Sequence, residues 1–214
     1  MEKEQVQKAI DELKKLPQKK FVQSYDLIIN LKNIDTKQTQ LDLFVTLPHS
    51  KGKKVTIAAF VDQQLAENAS KNCDLVIKDT EFDKFREKKT IRKLAEDHDY
   101  FIAQASLMAK IASVFGKALG TKGKMPNPKL GCVVPPNANL ELLKKKLICT
   151  VRLTAKKATN LQCLIGKANQ PDSEVINNIL AVYNAVIKHV PNEHQNIKNV
   201  ALKLTMSKPV HIEY

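Results

Sequence analysis

Apolar residues along this chain change their spacing several times, and each change marks an element. Val6, Ile10, Leu13 and Leu16 recur at helical spacing and predict a first amphipathic helix over about residues 4–15. The period then becomes two. Tyr25, Leu27, Ile29 and Leu31 alternate with Asp26, Ile28, Asn30 and Lys32. Leu41, Leu43, Val45 and Leu47 alternate with Asp42, Phe44 and Thr46 and stop at Pro48. Both runs predict half-buried strands, followed by a basic turn, HSKGKK, at 49–54. From Val55 short apolar runs alternate with helical stretches. Strands are expected at 55–60, 74–77 and 100–104, with helices over 62–72, about 80–97, 106–119 and about 139–146. That rhythm predicts parallel βαβ units.

Period two then returns. Val151, Leu153 and Ala155 alternate with Arg152, Thr154 and Lys156, and a further strand is expected at 160–166. Apolar pairs at 175/176, 179/180, 182/183 and 186/187 predict a long core-facing helix, opened by Pro171 with Asp172 as its N-cap. The last strand alternates Val200, Leu202, Leu204 and Met206 with Ala201, Lys203 and Thr205. The two period-two segments flank the βαβ middle. The expected architecture is a discontinuous two-domain α/β protein. A split α/β sandwich domain, 1–60 and 152–214, is interrupted by an inserted Rossmann-like α/β domain, 61–151. The chain crossings near 60 and 151 would form a hinge.

Charge sharpens this picture. The chain has 35 Lys plus Arg against 22 Asp plus Glu, a net charge of +13, which favours a polyanionic partner. Arg86, Arg92 and Arg152 are its only arginines, so the positive field is mostly lysine. Lysine acts as a point charge and suits phosphate neutralisation better than base-edge reading. No apolar run is long enough to span a bilayer, and the first helix does not read as a signal peptide. Cys73, Cys132, Cys149 and Cys163 are widely spaced, as expected of reduced cysteines in a cytoplasmic protein. The five histidines show no metal-ligand spacing, and no metal or cofactor is expected.

Residues 115–131, FGKALGTKGKMPNPKLG, combine glycines at 116, 120, 123 and 131 with Lys117, Lys122, Lys124 and Lys129. Pro126 and Pro128 stiffen the exit. The composition predicts a shaped, exposed, basic loop rather than a helix or strand. A nucleotide-dependent enzyme using the middle domain is the alternative reading. It lacks spelling: no GxGxxG follows a strand, and Lys124 is followed by Met125 rather than Ser or Thr. Cys73 beside Asp74 has no placed base and reads as a packing cysteine. Asp97, His98 and Asp99 read as a solvated turn.

Lys20 and Phe21 enter the first strand, and Thr205, Met206, Ser207 and Lys208 leave the last long one. Were these strands neighbours, one edge would carry lysines for phosphate, hydroxyls for ribose and an aromatic or Met for a sugar or base face. The segments FVQSYDLIINLKNID (21–35), TLPHSKGKK (46–54), HDYFIAQASLM (98–108), ALGTKGKMPNP (118–128), VPPNANL (134–140) and KLTMSKPV (203–210) resemble, in order, the L-one family of large-subunit ribosomal stalk proteins in its archaeal form. The resemblance implies a non-enzymatic ribosomal protein with a split domain holding both termini. It implies binding to rRNA at the mobile stalk near the tRNA exit site, aid to deacylated tRNA release, and, in some members, repression of translation through their own mRNA. It further implies a monomer off the ribosome, in the cytoplasm. Carried to this chain, the primary RNA surface includes Lys20, Phe21, Gly166, Lys167, Thr205, Met206, Ser207 and Lys208. A secondary rRNA or tRNA contact falls on Lys122, Gly123, Lys124, Met125 and Lys129. Ser207 stands where the family usually has glycine, Thr121-Lys122 replaces Pro-Arg, and 129–133 looks like an insertion.

Overall fold

The computed structural model describes residues 1–17, 19–34, 41–85, 87–155 and 158–213. Asp35, Arg86 and Lys156, named above, lie outside the described residues. In chain order the elements are α1 (Lys3–Lys14), β1 (Ser24–Leu31), β2 (Leu41–Thr46), β3 (Ile57–Val61), α2 (Gln63–Asn72) and β4 (Leu75–Lys78). Then come α3 (Lys88–Asp97), β5 (Tyr100–Gln104), α4 (Met108–Lys122), β6 (Val133–Val134) and α5 (Leu140–Cys149). The chain ends with β7 (Thr150–Ala155), β8 (Asn160–Lys167), α6 (Asp172–His189), β9 (Ile197–Leu204) and β10 (Val210–Ile212). The chain is mixed α/β, with six α-helices among the described residues.

Two compact units are present, Met1–Lys53 with Cys149–Tyr214, and Lys54–Ile148. In the first, a sheet of order β10-β9-β1-β8 places the strand nearest the N-terminus between strands from the far end of the chain. Every one of these pairings is antiparallel. Tyr25, Leu27, Ile29 and Leu31 point into the core, and the intervening residues are half-buried, as period two demands. β2 and β7 form a separate antiparallel ribbon. Val6, Ile10 and Leu13 of α1 and Val175, Ile179, Val182 and Val186 of α6 complete this core. Leu16 lies beyond α1 and is 39% exposed, so the helical stripe ends one turn earlier than its spacing suggested.

In the second unit a parallel sheet runs β4-β3-β5-β6. β3 is buried at every position and pairs with both β4 and β5. This strand therefore belongs to the second unit, although the expected boundary at 60/61 assigned it to the first.

Four further expectations need correction. The stretch 80–97 is not one helix: a 3-10 segment, Asp79–Phe85, precedes α3. Pro171 is the N-cap of α6 and Asp172 its first residue, with no side-chain cap bond. β9 stops at Leu204, so Thr205 and Met206 lie in a turn rather than in the strand. Finally, the helix expected over 106–119 is present as α4 and runs on to Lys122, so residues 115–122, also expected in a loop, are helical. α4 runs through Gly116 and Gly120 because Ile111, Phe115 and Leu119 form a fully buried stripe at i, i+4, i+8. Phe115 packs on Phe60 with ring centroids 4.8 Å apart. A glycine costs about 1 kcal/mol in a helix, less than burial of a phenylalanine contributes.

Candidate nucleic-acid interface

The antiparallel register brings three distant segments to one end of the four-stranded sheet. Ser24 faces Lys167, and Tyr25 faces Gly166 on one side and Leu204 on the other. Residues 20–24, 166–168 and 204–208 thus converge. A bulge where Tyr25 and Asp26 meet Gly166 and Leu164 breaks the β1–β8 register just before this end. Bulges re-aim the residues beside them.

Hydrogen bonds hold the end in shape. The Ser24 amide donates to Thr205 Oγ1 at 3.0 Å. The Met206 amide donates to Gln23 Oε1 at 3.1 Å, and the Ala168 amide to the Gln23 carbonyl at 2.9 Å. Gln23, buried and unremarked in the sequence, therefore ties both neighbouring turns to the entry of β1. Ser207 closes its turn by itself: its Oγ accepts from the Leu204 amide at 2.8 Å, and its own amide donates to the Leu204 carbonyl at 3.1 Å. Positive φ is not required there, so serine fits without strain.

Gly166 is buried, and Lys167 is half-buried. The Lys167 amide donates to Gln170 Oε1 at 2.7 Å, and Gln170 Nε2 donates to the Ser50 carbonyl at 2.8 Å. Asn178, buried on α6, donates to the Ile165 carbonyl at 3.1 Å and accepts from the His49 amide at 3.0 Å. Two amide side chains thus clip the basic turn 49–52 onto the end of β8. Gln170 and Asn178 carry no periodic signal that would have revealed this. Lys20, Phe21, Thr205, Met206 and Lys208 are exposed, Phe21 at 52% and Met206 at 65%. Exposed apolar side chains among lysines and strand-end amides form a surface suited to ribose, phosphate and base faces.

The five residues of the other candidate contact behave differently from one another. Gly123 ends α4 in the left-handed region at φ 65°. Lys122 pairs with Glu96 at 2.9 Å, holding that carboxyl below its usual range. Lys124 Nζ donates to the carbonyls of Ala95 at 2.8 Å and His98 at 2.7 Å, at the C-terminal end of α3. An ammonium there satisfies carbonyls that the helix leaves open. Met125 is half-buried against the core, and only Lys129 of the later residues is both charged and exposed. Residues 129–133 are structural: Leu130 and Cys132 are buried, and Val133 pairs with Ala103.

The enzymatic candidates are committed elsewhere. Burial pushes the Cys73 and Cys132 thiols up to about 11 and Cys163 to about 12. A nucleophilic cysteine needs the opposite shift. Asp74 Oδ2 accepts from the Ile57 amide at 2.9 Å, the Asp97 carbonyl accepts from Thr56 Oγ1 at 2.9 Å, and His98 Nδ1 lies 3.1 Å from the Leu94 carbonyl. After β3, Asp62 caps α2 with its own carboxylate, accepting from the Gln63 amide at 2.7 Å. A nucleotide phosphate would meet like charge at that helix start. Among the described residues no His, Cys, Asp or Glu cluster could hold a metal ion, and no helix is long and apolar enough to cross a membrane.

Comparison with known proteins gives one consistent result. The family model described as "Ribosomal protein L1p/L10e family" matches residues 13–208. The chain is 39% identical to the large ribosomal subunit protein uL1 of Nanoarchaeum equitans, over 95% of this chain and 99% of that one. It is 36% identical to the uL1 of Methanothermococcus thermolithotrophicus over the full length of both. It is also 36% identical to that of Pyrococcus abyssi, over 99% and 97%.

Proposed function

The chain belongs to the ribosomal protein L1p/L10e family, and from that premise we propose that it is a structural, non-enzymatic protein of the large ribosomal subunit. It is ribosome-associated in the cytoplasm and binds rRNA of the mobile stalk near the tRNA exit site. The observation that carries the RNA reading is the convergence of Lys20 and Phe21, Gly166 and Lys167, and Thr205 to Lys208 on one sheet end. Recognition there is by shape and backbone: preformed amides, hydroxyls and lysines meet ribose and phosphate. The split α/β unit is the RNA-binding domain, and the inserted Rossmann-like unit makes a secondary rRNA or tRNA contact that aids release of deacylated tRNA. Off the ribosome the protein is a monomer that represses its own mRNA through the same surface. Among the secondary-contact lysines, Lys129 carries the phosphate contact, because Lys122 and Lys124 are spent on Glu96 and on α3.

The test is binding of the full chain to an rRNA fragment spanning the stalk junction. Thr205→Val keeps the side-chain shape and removes the hydroxyl. It is expected to weaken binding by about 1–3 kcal/mol, since the Ser24 amide, which donates to this hydroxyl at 3.0 Å, and an RNA group both lose a partner. A valine variant that binds like the parent would remove the hydroxyl from the interface. A parent chain that binds the fragment no better than unrelated RNA of equal length would reject the reading itself.

A further inference from the structure

Lys51 sits in the basic turn after β2, yet it is only 8% exposed. A lysine is rarely buried unless its ammonium finds a partner. Lys51 Nζ donates to the Thr150 carbonyl at 2.9 Å, and Thr150 is itself fully buried. Both residues belong to the split unit, and both stand at its border. The chain leaves this unit between Lys53 and Lys54 and returns between Ile148 and Cys149. Thr150 opens β7 directly after α5 and faces Thr46 in the β2–β7 ladder. The Leu47 amide donates to the Cys149 carbonyl at 2.8 Å. A backbone bond and a buried ammonium therefore tie the outgoing chain to the returning chain just inside the unit. The same turn reaches the sheet end on its other side. Gln170 Nε2 donates to the Ser50 carbonyl at 2.8 Å, while Gln170 Oε1 accepts from the Lys167 amide at 2.7 Å. A Cβ built on Gly52 would stand 3.1 Å from Lys167 Cγ, so the turn also packs directly on that side chain.

We propose that the turn 49–52 is a two-state clip, which occupancy of the sheet end at Gly166 and Lys167 closes and which, once closed, stiffens both chain crossings. In the closed state Gln170 holds Ser50, and the Lys51 ammonium lies on the Thr150 carbonyl. In the open state the ammonium regains the water that burial took from it. That hydration offsets the lost hydrogen bond and keeps the two states close in free energy. A ligand shifts such a balance only by binding one state better. Here the Lys167 amide and the Ser50 carbonyl share one side chain, Gln170. RNA contacts that need Lys167 in place favour a seated Gln170, and a seated Gln170 holds the turn. The link is reciprocal: whatever opens the clip weakens RNA binding by the factor with which RNA suppresses opening. The proposal rests on the RNA reading above and adds a regulatory consequence to it.

The experiment is amide hydrogen exchange of the full chain, without RNA and with a saturating stalk rRNA fragment. Exchange is read at the crossings, 51–56 and 148–151, with β1 and β9 as the core reference. Lys51→Met keeps a long unbranched side chain and removes the ammonium. Without RNA it is expected to speed exchange at the crossings about tenfold or more and to leave β1 and β9 within about twofold. In the parent chain the fragment should slow the crossings about fivefold or more. Gln170→Ala, saturated with the same fragment, should show no such slowing. Equal slowing in that variant would mean that RNA merely covers the crossings, and it overturns the link. An unchanged crossing in Lys51→Met, or a rise shared equally by β1 and β9, overturns the clip. Should Lys51→Met fail to fold, Gln170→Ala without RNA decides the same point, since it too should speed the crossings and spare β1 and β9. Failure of the parent chain to bind the fragment overturns the RNA reading and the coupling with it, while the comparison without RNA still decides the clip.

Discussion

At Gly166 a Cβ would stand 2.7 Å from Gln170 Oε1 and 3.3 Å from Val175 Cγ2. Glycine is required there by its neighbours, and the neighbour most affected holds the Lys167 amide. Gly166→Ala and Gln170→Ala are each expected to weaken rRNA-fragment binding by about 1–2 kcal/mol. The double variant should fall short of the sum by at least about 0.5 kcal/mol, because the first change already evicts the amide that the second removes. Strict additivity in a binding titration would show that Gly166 acts through close approach of RNA alone. The lysines of 122–129 separate at the same scale. Lys124→Met removes the donor from two carbonyls and should lower stability in urea by about 1–3 kcal/mol. Lys129→Gln should leave stability unchanged and reduce the salt slope for whole-subunit binding by up to about 0.9. If the two variants behave alike in both measurements, the distinction fails. A lysine's letter in the sequence shows its charge but not whether its amine ends on solvent or on a carbonyl.

Among the elements, α4 bears out the helix expected over 106–119 and carries it three residues further, into the stretch that was also expected as a loop. Glycines four apart suggested a loop, and the helix continues through them on the strength of Ile111, Phe115 and Leu119. A Cβ built at Gly116 or Gly120 meets nothing within 4 Å. Gly116→Ala and Gly120→Ala are therefore expected to stabilise the protein by about 0.4–1 kcal/mol each, by restricting the unfolded chain and improving the helix. The urea midpoint checks this, and a fall in it would show that the glycines serve a contact made outside the chain. β1 and α6 were legible because one face of each is buried and the apolar period follows directly. β9 was legible to Leu204 only. The alternation continues through Met206, but the Ser207 hydroxyl takes the Leu204 amide and turns the chain out of the sheet.

At the scale of the molecule, the split unit contains a core assembled from both ends of the chain. Replacing residues 54–148 by a short bridge should preserve a cooperative unfolding transition, because that core is untouched. Affinity for the rRNA fragment should stay within roughly tenfold, or about 1.4 kcal/mol. A truncated protein that unfolds cooperatively but no longer binds would place the primary contact in the other unit. The net charge of +13 adds a salt-sensitive attraction to any RNA, so these comparisons need one fixed salt concentration.

Several features were determined by the sequence alone, because they depend on local periodicity and on composition. These are the α/β class, the rhythm change near Val55, the core faces of α1, β1 and α6, the basic balance, and the family spelling of the segments at both ends. The tertiary structure decided what depends on the register between distant strands. It set Ser24 opposite Lys167 and Tyr25 beside Leu204, and so joined residues 20–24, 166–168 and 204–208. It placed Gln23 and Gln170, two uncharged residues with no pattern of their own, at the junctions where turns meet. It also turned Lys124 inward onto α3 while Lys129 stayed in solvent. Hydrogen-bond partners far apart in sequence are chosen by how the packed elements lie, and no local pattern of polar and apolar residues records that choice.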